Sequence, residues 1–100
     1  MFMPYMYILR CADGTFYTGS TKHLQLRLEQ HHNGEGSIYT SRRLPVKLAY
    51  YEKYDNVADA FEREKQIQGW GHAKKQALID RNAEKLHELA IKPAERTNEV

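Results

Sequence analysis

The chain is short of several things, and each shortage narrows what it can be. It has one cysteine, Cys11, in 100 residues. No disulfide can form within such a chain, which fits a reducing compartment. No apolar run approaches the roughly 20 residues that cross a bilayer. The opening stretch, MFMPYMYIL, meets Arg10 with no basic region before it and no small-residue cleavage site, so it does not read as a signal peptide. There is no internal repeat and no low-complexity tract. These absences point to a cytoplasmic globular protein with no membrane association. A strong charge of one sign is also missing. The formal net charge is +2 and the isoelectric point about 8.7, a weak pointer to a polyanionic partner. The basic excess lies within residues 1–81.

What is present reads as one small α+β domain. Hydrophobic residues make up 41% of the chain, enough for a compact core. Residues 5–11 follow Pro4 and have strand composition. Tyr5, Tyr7, Leu9 and Cys11 fall on one face; Met6, Ile8 and Arg10 fall on the other. Residues 15–19, TFYTG, form a second strand, and Asp13-Gly14 makes the pair a hairpin. The residues leave two loop lengths open. A two-residue loop sets Tyr17 opposite Arg10, away from Tyr7. A three-residue loop, Ala12 to Gly14, uses a left-handed Gly14 in a bulge and sets Tyr17 opposite Leu9. Tyr7 and Tyr17 then become diagonal neighbours, with Gly19 leaving open space beside the Tyr7 ring. A slip of one residue moves every side chain to the opposite face.

Ser20 and Thr21 are candidate caps for a helix running to about His32, where Asn33-Gly34 stops it. Leu24, Leu28 and His31 share a stripe that also takes in Arg27. Residues 35–45 read as a loop or a short helical turn, and Val46–Tyr54 as a third strand. Asp55-Asn56 caps a second helix, Val57 to about Gln68. Its apolar stripe is Val57, Ala60, Phe61 and Ile67, interrupted by Glu64. A third helix spans His72–Arg81, with Trp70 between two glycines before it. The expected division is a domain over 1–81, then a short C-terminal helix and flexible tail over 82–100.

Arg27, His31 and Glu64 thus interrupt stripes that must pack on the sheet carrying Tyr7 and Tyr17. Charged groups at such positions are costly unless paired or near water. A concave site on the sheet would account for all of them. A lone carboxylate suits Mg²⁺, which keeps several waters. An arginine suits a phosphate through its planar fork. A tyrosine or histidine can position or deprotonate a water. These are the parts of a phosphodiester hydrolase. The bland readings are core tyrosines and an Arg27–Glu64 salt bridge. Glu62 faces away from the stripe and reads as a solvated charge. Arg42, Arg43, Lys74 and Lys75 are candidates for a phosphate-tracking surface. Trp70 reads as core rather than as a base-stacking platform, and Cys11 as a small buried hydrophobe.

The same residues resemble the GIY-YIG nuclease domain. Its two name motifs appear as Tyr5-Met6-Tyr7 and Tyr17-Thr18-Gly19, with Arg27, His31 and Glu64 at matching spacing. The chain is more closely similar to the small stand-alone UPF0213 group within that superfamily. Tyr5 stands where the motif has glycine, Thr18 where it has isoleucine, and Ser20 where many nucleases have lysine. The resemblance implies a three-stranded antiparallel sheet flanked by helices, with the site on the sheet face and a three-residue hairpin loop. It implies a single Mg²⁺ or Mn²⁺ on Glu64 and the scissile phosphate held by Arg27. Tyr7 is then the base or the group that positions the attacking water. Tyr17 hydrogen-bonds in the same site, and His31 takes a place often held by tyrosine. The implied activity is an endonuclease acting on nucleic acid, DNA before RNA. The alternatives are a non-catalytic nucleic-acid-binding module and a subunit whose substrate grip comes from a protein partner.

Overall fold

A computed structural model describes residues 3–82 together with 84 and 86. The strands are β1 (Tyr5–Arg10), β2 (Phe16–Thr21) and β3 (Lys47–Lys53). The helices are α1 (Leu24–His32), α2 (Ile38–Ser41), α3 (Val57–Gln68) and α4 (His72–Ile79). The chain divides after Gly69 into two compact units. The first holds the sheet and α1 to α3, and the second holds α4. The expected tail over 82–100 falls, apart from residues 82, 84 and 86, outside the described residues.

The hairpin adopts the three-residue loop. Gly14 has φ +85°, its amide donates to the Cys11 carbonyl, and the Cys11 amide donates to Thr15. Glycine takes this left-handed backbone without the steric penalty of a side chain. The Asp13 carboxylate accepts from the amide and hydroxyl of Thr15, which stiffens the turn. The resulting register pairs Leu9 with Tyr17, Tyr7 with Gly19 and Tyr5 with Thr21. β1 also pairs antiparallel with β3, so the order is β2-β1-β3 and β1 is central.

Alternation then divides the core between two faces. On one, Tyr7, Leu9, Cys11 and Val46 are buried, with Tyr17 and the α1 residues Leu24 and Leu28 packed on them. On the other, Met6, Ile8 and Thr18 are buried, and α3 packs across β1 and β2. Ala60 and Ile67 make the α3 contact; each is at most 1% exposed. Burying Ile67 alone contributes roughly 1.5–3 kcal/mol. The Arg63 guanidinium donates two hydrogen bonds to Glu52 on β3, at 2.9 and 3.2 Å. The hydroxyls of Tyr50 and Tyr54 donate to the same carboxylate. Burial pushes the Glu52 carboxyl up, but Arg63 and the two phenols outweigh it and hold it below the usual range.

Two local expectations are corrected. Ser20 and Thr21 do not cap α1, because both are drawn into the β2 ladder opposite Met6 and Tyr5. The helix begins after His23, whose amide donates to the Thr21 hydroxyl. The α3 stripe is also narrower than the sequence suggests. Val57 and Phe61 are about half exposed, at 47% and 49%. The small Ala60 lets the helix lie close on the sheet, and the buried residues of α3 are Ala60 and Ile67, with Glu64 half-buried between them. Elsewhere local signals hold. The Asn56 side chain accepts from the Asp59 amide and caps α3. Gly34 follows α1 at φ +80°. Ser37 caps the short α2 by accepting from the Thr40 amide.

Candidate active site

The Tyr7 ring lies against the backbone of β2 because its partner there is Gly19. A Cβ on residue 19 would sit 2.6 Å from both Cζ and the hydroxyl oxygen of Tyr7. The room left by this glycine is therefore filled by the phenol itself. Tyr7 is 2% exposed, and its hydroxyl lies 2.8 Å from Nε2 of His31, which is fully buried. Burial, then the phenol of Tyr17, pushes the Tyr7 hydroxyl above the ordinary phenol range. Arg27 pulls it down and Glu64 pushes it up. Burial, then the charges of Arg27 and His32, pull His31 down to about 4. Tyr7 and His31 therefore face each other as neutral groups at neutral pH.

Tyr17 completes an aromatic cluster. Its ring centroid is 6.4 Å from Tyr7 and 5.2 Å from His31, edge-on to the latter. On its other side Tyr39 stacks at 6.1 Å. His31 is held from behind by α2, whose Thr40 hydroxyl lies 2.9 Å from Nδ1. A Cβ at Gly36 would collide with the His31 ring, so glycine is required for this approach.

Glu64 arrives from the opposite face of the sheet. Ser20, one residue beyond Gly19, points toward α3 and donates to the Glu64 carboxylate at 2.5 Å. The Gln68 amide donates to the other carboxylate oxygen at 2.6 Å, and also reaches the Thr18 carbonyl. The cluster thus straddles the edge strand at Gly19–Ser20 rather than lying on one sheet face. The reason is the pleat: residue 19 serves Tyr7 on one side and residue 20 serves Glu64 on the other.

Arg27 and Ser20 line a cleft of about 370 Å³, together with Lys22, His23 and Gln30. Among the described residues the Arg27 guanidinium has no ion-pair partner; the ion pairs are Arg43–Asp13 and Arg63–Glu52. An Arg27–Glu64 salt bridge does not form. No group of three or more His, Cys, Asp or Glu able to enclose a metal occurs among the described residues. The single Glu64 carboxylate, held in place by two neutral donors and not charge-neutralised, fits an ion that keeps most of its own water.

The basic candidates separate. Arg42 is exposed. Arg43 is engaged: it pairs with Asp13 at 3.0 Å, donates to the Tyr39 carbonyl and lies 3.7 Å over the Tyr39 ring. Lys74 and Lys75 belong to the second compact unit. Lys74 sits over the Trp70 ring at 4.4 Å, and burial lowers the pKa of Lys75. Trp70 is partly buried, Cys11 is buried and Glu62 is exposed. Sequence reasoning missed Gly36, Tyr39, Thr40 and Gln68. The only signal for the α2 residues was Ser37 three positions before Thr40, a capping pattern inside a stretch that reads as a loop or a short helical turn.

A family model described as the GIY-YIG catalytic domain matches residues 3–77. A UPF0213 protein of Staphylococcus saprophyticus is 43% identical over 75 residues, covering 75% of this chain and 92% of the relative. A UPF0213 protein of Syntrophus aciditrophicus is 42% identical over 83 residues, covering 82% and 95%. The solution NMR structure of a UPF0213 protein from Bacillus halodurans is 28% identical, with a TM-score of 0.53 over 98% of this chain and 96% of that one.

Proposed function

The chain belongs to the GIY-YIG catalytic domain family, and on that premise we propose that it is a divalent-metal-dependent endonuclease that hydrolyses phosphodiester bonds, with DNA as substrate. The observation that carries the reading is the convergence at one strand edge of Tyr7, Tyr17, His31 and Glu64, beside a cleft lined by an unpaired Arg27. A guanidinium and a carboxylate that each lack an ionic partner are stable only where water, a metal or a phosphate serves them.

Glu64 would hold the metal, and Ser20 and Gln68 orient its carboxylate. When bound, such an ion supplies positive charge against the scissile phosphate. Arg27 binds the non-bridging phosphate oxygens through its planar fork and meets the negative charge that grows as the bond breaks. The neutral states of Tyr7 and His31 favour positioning over proton removal. Tyr7 positions the attacking water through its hydroxyl. Water then bonds to phosphorus, the bond to the 3′ oxygen breaks, and one water proton finishes on that oxygen. The products are a 5′-phosphate and a 3′-hydroxyl. Tyr17 packs Tyr7 and His31 into this arrangement.

A binding module relying on basic surface alone has less support, because Arg43 is committed within its own fold. The test is cleavage of labelled duplex, single-stranded, flap and branched DNAs and matching RNAs, in Mg²⁺, Mn²⁺ and EDTA. Arg27→Ala and Glu64→Gln run beside wild type. Metal-dependent cutting lost in both variants is the expected result. No cutting, or cutting that survives both changes, refutes the proposal.

A further inference from the structure

Behind Tyr7 runs a buried chain of hydrogen bonds that the cleavage chemistry above does not use. It passes from the Tyr7 hydroxyl to His31 Nε2 at 2.8 Å, then from Nδ1 to the Thr40 hydroxyl at 2.9 Å, and on to Ser37 Oγ at 2.8 Å. Tyr7, His31 and Thr40 are each at most 2% exposed. Such a chain can point in either direction, because each hydroxyl both donates and accepts and a neutral imidazole has two tautomers. The direction decides what the Tyr7 hydroxyl presents away from His31. With the proton on Nδ1, His31 accepts from Tyr7, and the phenol oxygen keeps its lone pairs free on the side away from the imidazole. With the proton on Nε2, His31 donates to Tyr7, and the phenol O–H points away from the imidazole.

We propose that Thr40 is a positioning residue that fixes His31 in its Nδ1–H tautomer, so that Tyr7 presents a hydrogen-bond acceptor to the attacking water. The accounting of donors favours this direction. Among the described residues the Tyr7 hydroxyl has one hydrogen-bonding partner, Nε2. If Nε2 carried the proton, the buried phenol proton would have no acceptor there, an expensive omission. Thr40 has somewhere to send its own proton when it accepts from Nδ1, since Ser37 Oγ is within 2.8 Å and the Ser37 carbonyl within 3.4 Å. His31 is also neutral over the working range, because burial, reinforced by Arg27 and His32, lowers its pKa to about 4. Two tautomers, not a cation, are therefore the states to be chosen between. Gly36 lets α2 come close enough for Thr40 to reach the ring. The function of Thr40 rests on the endonuclease reading, but its effect on the tautomer does not.

The experiment is long-range ¹H–¹⁵N NMR of the His31 ring in the full chain, for wild type, Thr40→Ser and Thr40→Val. Single-turnover cleavage and DNA affinity are measured beside it. Wild type and Thr40→Ser are expected to show the Nδ1–H tautomer. Thr40→Val has similar shape but no acceptor, and is expected to move His31 toward Nε2–H. Its cleavage rate should fall at least tenfold with DNA affinity unchanged, and Thr40→Ser should restore most of the rate. An Nε2–H tautomer in wild type overturns the proposal, and so does a Thr40→Val protein with the wild-type tautomer or rate. If Thr40→Val does not fold, the tautomers of wild type and Thr40→Ser decide it. If wild type cuts nothing, the endonuclease reading fails while the tautomer spectra still test Thr40.

Discussion

Replacing Gly19 with alanine should damage both stability and the site, because one methyl group meets the phenol at the centre of the cluster. The added Cβ would sit 2.6 Å from the Tyr7 Cζ and hydroxyl, 0.8 Å inside the 3.4 Å at which ordinary contact begins. Tyr7 cannot yield cheaply. It is 2% exposed, flanked by Tyr17 and hydrogen-bonded to a buried histidine. Overpacking of this kind costs about 1–3 kcal/mol. Displacing the hydroxyl from His31 adds about 1 kcal/mol. A total of roughly 2–4 kcal/mol corresponds to a melting temperature lower by about 10–20 °C in a domain of this size. A shift approaching 1 Å at a reacting centre costs on the order of 100-fold in rate. The assay is urea unfolding with cleavage measured in parallel, repeated in a Tyr7→Leu background. Removing the ring removes the clash, so alanine at 19 should there cost less than about 0.5 kcal/mol. Equal cost in both backgrounds, or a Gly19→Ala protein as stable as wild type, refutes the reasoning.

Three further outcomes follow from buried polar groups. Thr18 is 4% exposed and its hydroxyl has no partner among the described residues, so Thr18→Val should raise the unfolding free energy measured in urea by up to about 1 kcal/mol; a fall would contradict this. His31 is held at about 4 against an ordinary 6.5, so the unfolded chain binds its proton more readily. The stability tied to its neutral form is complete above about pH 6.5 and lost as pH falls toward 4, on the order of 3 kcal/mol in all. A flat unfolding profile over that window would count against the burial argument. Glu52→Gln should cost about 1–3 kcal/mol by loosening the Arg63, Tyr50 and Tyr54 contacts. Because the folded Glu52 carboxyl is held below its usual range, its contribution is present above about pH 4.3 and fades below it. Acid titration of the glutamine variant should therefore differ from wild type mainly below pH 4.

Sequence alone settles what depends on neighbours along the chain. Alternation assigned the faces of β1, Gly14 suited a left-handed bulge, Gly34 ended α1 and Asn56 capped α3, because each rests on backbone preferences acting over a few residues. It also supplied the spacing of Tyr7, Tyr17, Arg27, His31 and Glu64, and with that the family. The hairpin loop length lay at the border: local residues allowed two registers, and the family resemblance chose the one observed. The tertiary structure decided the rest. Ser20 and Thr21 have capping side chains, but pairing with β1 makes them strand. Val57 and Phe61 have core side chains, but the close approach of Ala60 turns them outward. Arg43 looks like a phosphate ligand until the hairpin brings Asp13 to it. Glu64 comes within reach of the Tyr7 field only because two consecutive residues of β2, Gly19 and Ser20, serve opposite faces of one sheet edge. Thr40 meets His31 only because α2 folds back on α1 over Gly36. These are contacts between segments far apart in sequence or separated by a turn, and no local periodicity encodes which side chains they bring together.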